Sequence, residues 1–214
     1  MWTDARQRSR VRAACPGRVG EFPTTVVGID ELLGVQPSPM LAEPVLDRLA
    51  DGRGDVWAFA RAAGAKLHHV KCHGALYNMA SEDPALARAI AEAIKAIDPA
   101  LILYALADSE LLRAGAQAGL RVASEVFADR TYQSDGSLTP RTQPDALIED
   151  TGTALAQVRR MVGQGLVRSI QGIDVPITAD TLCIHGDRPG AVRLARKIRA
   201  ALDADGVRVA PIGR

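Results

Sequence analysis

The stretch KLHHVKCHGALYN, residues 66–78, brings Lys71 and His73 to the end of a short apolar run, two positions apart. A lysine there can hold an anion or a carbonyl oxygen, and a histidine can move a proton or bind a metal. A surface lysine beside a histidine that caps the next turn is the plainer reading of this stretch alone. The segment SEVFADRTYQSDGSLTPR, residues 124–141, is denser. Glu125 closes an apolar run, and Asp129, Arg130 and Arg141 populate the polar loop behind it. Each arginine can grip a carboxylate or phosphate through two parallel N–H bonds, while Glu125 or Asp129 can serve as general base or metal ligand. Long loops with this chemistry on an α/β scaffold are usually functional. The third stretch, CIHGDRPGA at 183–191, sets His185 and Asp187 two apart before a helix that begins near Pro189-Gly190. Backbone N–H groups at such a start attract anions, and Asp187 as a simple N-cap is compatible with this. No P-loop and no Gly-x-Ser-x-Gly elbow occurs.

The elements that would carry these residues are legible from periodicity. KLHHVK reads as a strand followed by a glycine-led turn at 74–78. DPALARAIAEAIKAI (83–97) reads as a helix with Asp83 as N-cap and Pro84 in its first turn. ALILYAL (100–106) is a continuous apolar run, hence a buried strand. A helix over 108–119 closed by Gly119, a strand over 120–128, and a helix over 145–165 follow. A strand at 181–185, a helix at 189–206 and a last strand at 207–212 complete the series. His68 and His69 face opposite sides of their strand, and neither is assigned a role. Strands alternating with helices imply a parallel sheet, in which functional residues gather at the strands' carboxyl ends. Lys71, His73, Glu125, Asp129, Arg130, His185 and Asp187 all fall at such exits.

The totals narrow the function classes. With 214 residues, one core is the default. There are 26 basic against 25 acidic residues, so the charge gives no case for nucleic acid or an anionic membrane surface. At 4% aromatic content, base-stacking platforms are not expected either. Cys15, Cys72 and Cys183 are odd in number and widely spaced, which reads as reduced thiols in a cytoplasmic protein. No stretch reaches the roughly 20 apolar residues of a membrane span. The arginine-bearing start has no apolar run behind it, so it is not read as a secretory signal.

VKCHGALYN, SEVFADRTYQSDGSLTPR and CIHGDRPGAV, in this order and with these helices between them, resemble the LamB/YcsF family of 5-oxoprolinase A subunits, from about Val56 to Arg214. The resemblance implies a TIM-barrel-like fold of the glycoside hydrolase/deacetylase type. It implies ATP-dependent opening of 5-oxoproline to L-glutamate, with magnesium accompanying the ATP, in a complex with 5-oxoprolinase subunits B and C. It casts His73, Asp129, Lys71 and Glu125 as catalytic and Arg130, Arg141, His185 and Asp187 as substrate-binding, with no metal ligand assigned. Residues 1–56 lack the family's opening Asn-Cys-Asp-Leu-Gly-Glu, Cys-Gly-Phe-His-Ala-Gly-Asp and Gly-Ala-His-Pro motifs, and Cys72 stands where the family usually has proline. The expectation is therefore an incomplete barrel: residues 57–214 as the β/α domain, and residues 1–56 as a divergent or out-of-frame segment. Two other classes stay open. One is a metal-dependent amide or acetyl hydrolase of the deacetylase type, and the other is an inactive remnant that only binds partners.

Overall fold

The computed structural model describes residues 67–72, 74–186 and 190–212. His73 and Asp187 lie outside the described residues, as does the expected boundary at residue 56. Four parallel strands form the main sheet: β1 (His69–Lys71), β2 (Ile102–Leu106), β3 (Arg121–Phe127) and β6 (Thr181–Cys183). Each strand pairs with the one before it in the sheet, in chain order and without reversal. A doubly wound sheet reverses strand order at a switch point; a β/α barrel does not. The described sheet is thus an arc of barrel type in a mixed α/β chain.

Register assigns the two faces. His69 pairs with Ile102 and Lys71 with Tyr104, while Glu125 lies opposite both Leu106 and Thr181, and Phe127 opposite Cys183. Side chains alternate along a strand, so Lys71, Tyr104, Glu125, Phe127 and Cys183 share one face. The other face takes the helices. Helix α3 (Glu110–Gln117) lies so close that a Cβ on Gly115 would stand 2.7 Å from Leu103 Cδ2 and 2.9 Å from Val122 Cγ1. All five residues of β2 are buried, as a strand covered on both sides must be.

Helix α2 (Pro84–Ile97) starts as its sequence dictates: Asp83 accepts from the N–H groups of Ala85 and Leu86, with proline in the first turn. Its apolar stripe buries Ala87, Ile90, Ala91 and Ile94. Helix α3 begins one residue after its Ser109 cap, inside the expected 108–119.

Five features depart from the sequence reading. The expected turn at 74–78 is the start of helix α1 (Gly74–Glu82), which buries Tyr77 and Ala80 at helical spacing; Gly74, at φ +64°, turns the chain out of β1. The helix expected over 145–165 begins later, as α4 (Thr151–Gln164) capped by Asp150, and residues 144–146 form a short 3₁₀ turn. Its end is as read, with Gly165 at φ +65°. Between α4 and β6 an antiparallel pair, β4 (Leu166–Arg168) and β5 (Asp174–Pro176), makes a second small sheet. Three-residue strands are too short to show a period. Residues 207–212 form no strand. Pro211 has no N–H to give a ladder, and Ile212 instead packs on Ile102, Tyr104 and Ala123. The last helix, α5 (Ala191–Ala204), has Gly190 rather than an aspartate at its cap.

Candidate active site

The inward face of the arc carries a buried ion pair. Lys71 Nζ donates to Glu125 Oε1 at 2.7 Å and lies 2.6 Å from Oε2, and the two residues are only 5% and 3% exposed. Tyr77 Oη, delivered by α1, donates to Glu125 Oε2 at 2.9 Å. Lys71 Nζ also stands 3.4 Å from Cys183 Sγ and about 5 Å from the ring centres of Tyr77 (5.2 Å) and Phe127 (5.1 Å). Burial raises the tyrosine hydroxyl of Tyr77 well above its ordinary pKa, and the negative charge of Glu125 adds to the shift. Burial likewise pushes the Cys183 thiol up to about 11, against the opposing pull of Lys71. Three strands and one helix therefore hold a lysine ammonium, a carboxylate and two neutral protonated groups within touching distance.

A second cluster lies at the strand exits. His185 Nδ1 sits 2.9 and 3.0 Å from the two carboxylate oxygens of Asp129, and the His185 backbone N–H donates to Asp129 Oδ2 at 3.1 Å. The imidazole stacks on Phe127 with ring centres 5.8 Å apart. On its far side, Nε2 lies 2.8 Å from Arg141 Nη2. A guanidinium has donors only, so Nε2 must be the acceptor there, which places the ring proton on Nδ1, facing Asp129. Burial pushes Asp129 upward, but its hydrogen bonds and attraction to His185 outweigh this and hold the carboxyl below its ordinary pKa. The arrangement is a carboxylate–histidine dyad: the acid fixes ring and tautomer, and the outer nitrogen is the working end.

The loop after β3 is fastened to keep that dyad in place. Arg130, 3% exposed, donates from Nε to the Ala146 carbonyl at 3.1 Å and from Nη2 to that of Thr139 at 2.5 Å. Burial lowers its pKa, and the nearby Arg141 adds to the effect. Gln157 from α4 donates to the carbonyls of Phe127 and Arg130, and the Phe127 N–H donates to Tyr132 Oη at 2.8 Å.

Of the residues singled out in the sequence, the structure brings Lys71 together with Glu125, and Asp129 with His185 and Arg141. Arg130 it commits to the loop's own backbone. Two contributors escaped the sequence reading. Tyr77 lay within the stretch taken for a turn, and its buried partner Ala80, three residues on, was the available signal. Cys183 was read only as a reduced thiol, although alternation in TLCIH puts positions 181, 183 and 185 on one face. His69 stacks on Tyr104, 4.4 Å between ring centres, with His68 edge-on to it. Among the described residues no group of three or more His, Cys, Asp or Glu is placed to hold a metal ion, and no helix is long and apolar enough to cross a membrane.

A sequential parallel β/α arc with its polar cluster inside and at the carboxyl ends of its strands is a half-barrel compatible with the β/α-barrel class. The LamB/YcsF family model matches residues 36–214, and the chain belongs to that family. It is 57% identical over 156 residues to the second 5-oxoprolinase A subunit of Bordetella bronchiseptica, covering 73% of this chain and 62% of that protein. It is 51% identical over 187 residues to the 5-oxoprolinase A subunit of Bacillus subtilis, covering 86% and 73%. The crystal structure of the lactam utilization protein from Thermus thermophilus superposes with a TM-score of 0.64 at 46% identity, over 71% of this chain and 60% of that one. The chain thus spans about three-fifths of the length of the Bordetella and Thermus proteins.

Proposed function

We propose that this chain is an A-subunit component of a 5-oxoprolinase, acting on the cyclic amide of 5-oxoproline with ATP and releasing L-glutamate. The observation that carries the reading is the Asp129–His185 dyad at the mouth of the arc, in a chain whose relatives bear that name. An unstrained lactam resists water, so the carbonyl carbon must be activated before attack. ATP, as co-substrate, supplies the phosphoryl group that activates the lactam oxygen.

The chain's own groups then have distinct tasks. His185 Nε2 takes a proton from the attacking water, while Asp129 holds the opposite nitrogen and steadies the imidazolium that forms. Lys71, oriented by Glu125, faces the ring from the interior, where an N–H donor stabilises developing negative charge. Arg141 receives an anionic group of the substrate, and Arg130 holds the loop that carries it. His73 is proposed as a further catalytic group and Asp187 as a further substrate-binding one.

The described cations suit one anionic group rather than a whole triphosphate, because Lys71 and Arg130 are already committed to protein acceptors. Magnesium is the proposed companion of the ATP. Subunits B and C are the proposed partners, the cytoplasm the proposed site of work, and the glycoside hydrolase/deacetylase type the proposed barrel lineage.

The test is ATP-dependent glutamate release by the complex reconstituted with B and C subunits. His185→Gln and Asp129→Asn should each lower kcat by about a hundredfold or more, with smaller changes in KM. Near-normal turnover in either variant removes the dyad from the chemistry. Turnover that needs no ATP and is lost on chelation would instead favour the deacetylase-type hydrolase.

A further inference from the structure

His185 Nε2 is the nitrogen that must be free to act as a base, yet it is occupied. It accepts a hydrogen bond from Arg141 at 2.8 Å, and a lone pair engaged by a cation's N–H cannot take a proton from water. Arg141 is exposed, on the loop behind β3, and His185 is its only hydrogen-bond partner among the described residues. A neutral imidazole is a weaker partner for a guanidinium than a carboxylate, which can accept two charge-assisted bonds side by side. An arriving carboxylate therefore draws Arg141 away from the ring. Its neighbour Arg130 cannot follow, being buried and tied to the carbonyls of Ala146 and Thr139.

We propose that Arg141 is a substrate-operated mask on His185: it covers Nε2 in the free protein and uncovers it when it binds the carboxylate of the incoming lactam. The inference rests on the reading of His185 as base. It adds to that reading a reason for selectivity toward lactams that bear a carboxylate. Arg141 is in these terms a positioning residue, acting on the reaction through His185.

Two measurements test it. The first needs no turnover: diethyl pyrocarbonate adds to a free imidazole nitrogen, and its rate at His185 is read by peptide mass spectrometry on the full chain. Arg141→Met should speed labelling of His185 by about fivefold, the equivalent of one lost hydrogen bond, and Arg141→Lys should fall between. An unchanged rate in Arg141→Met overturns the mask. The second compares 5-oxoproline with 2-pyrrolidone, the same ring without the carboxylate, in the reconstituted complex. Arg141→Met should raise KM for 5-oxoproline yet increase turnover of 2-pyrrolidone above that of the unaltered complex. Equal losses on both substrates overturn the proposal, because a merely structural arginine would impair both alike. If the unaltered complex opens neither lactam while the labelling result holds, it is the 5-oxoprolinase reading that falls, and the carboxylate trigger with it.

Discussion

Glu125→Gln isolates the buried pair that organises the interior. The substitution keeps the shape, but replaces one carboxylate oxygen with an NH2 and leaves the Lys71 ammonium without a counter-charge at 5% exposure. Breaking a buried pair by removing one partner costs about 3–5 kcal/mol, because the remaining charge is stranded. The amide oxygen can still accept from Lys71 while the Tyr77 hydroxyl turns to accept from the new NH2, so the lower end, about 3 kcal/mol, is expected for Glu125→Gln. Against a typical domain stability of about 5–15 kcal/mol this is a large fraction and readily seen in urea unfolding. Lys71→Met combined with Glu125→Gln removes both charges while leaving Tyr77 an acceptor, and it should recover most of the loss. The double-mutant cycle should then show a coupling of about 2 kcal/mol or more. A cost below about 1 kcal/mol for Glu125→Gln, or a double variant that simply adds the two single losses, would refute the claim that Lys71 is committed to this carboxylate.

Two further perturbations probe neighbouring features. The Cys183 thiol is raised from 9.0 to about 11 in the fold, so it deprotonates more readily when unfolded. The stability this contributes is complete below pH 9 and drains as pH rises toward 11. Unfolding midpoints measured across that range should fall more steeply for the unaltered chain than for Cys183→Ala, and equal slopes would contradict the assignment. Gly115→Ala puts a methyl group 2.7 Å from Leu103 Cδ2 and 2.9 Å from Val122 Cγ1, so α3 must shift off the sheet. A loss of about 1–3 kcal/mol in urea unfolding is expected, and a neutral or stabilising result would show that the helix is not seated there.

What could be read in the sequence follows from how far each signal reaches along the chain. Asp83-Pro84 and the stripe through Ala87, Ile90, Ala91 and Ile94 are local signals, and α2 formed where they placed it. β2 was legible because a strand covered on both faces needs an unbroken apolar run. Gly74 misled because a positive-φ glycine marks a turn equally well whether a loop or a helix follows. The pairing of β4 with β5 depends on partners across a turn, not on any period within three residues. At the site, the types and strand-exit positions of Lys71, Glu125, Asp129 and His185 were visible, but their pairing was not. Lys71 and Glu125 are 54 residues apart, Asp129 and His185 56, and only the register of β1, β2, β3 and β6 brings them together. Arg130 and Arg141 looked equivalent on the page. Burial separates them, turning one into a fastener and leaving the other at the mouth.

That fastener reads no side chain. Arg130 grips the carbonyl oxygens of Thr139 and Ala146, groups that every amino acid supplies. The residues between can therefore be exchanged while the clasp stays shut. Evolution, or an engineer, can re-letter the rim that meets the substrate without paying for each new spelling in loop stability. The same clasp that makes this mouth rigid is what leaves its recognition free to drift.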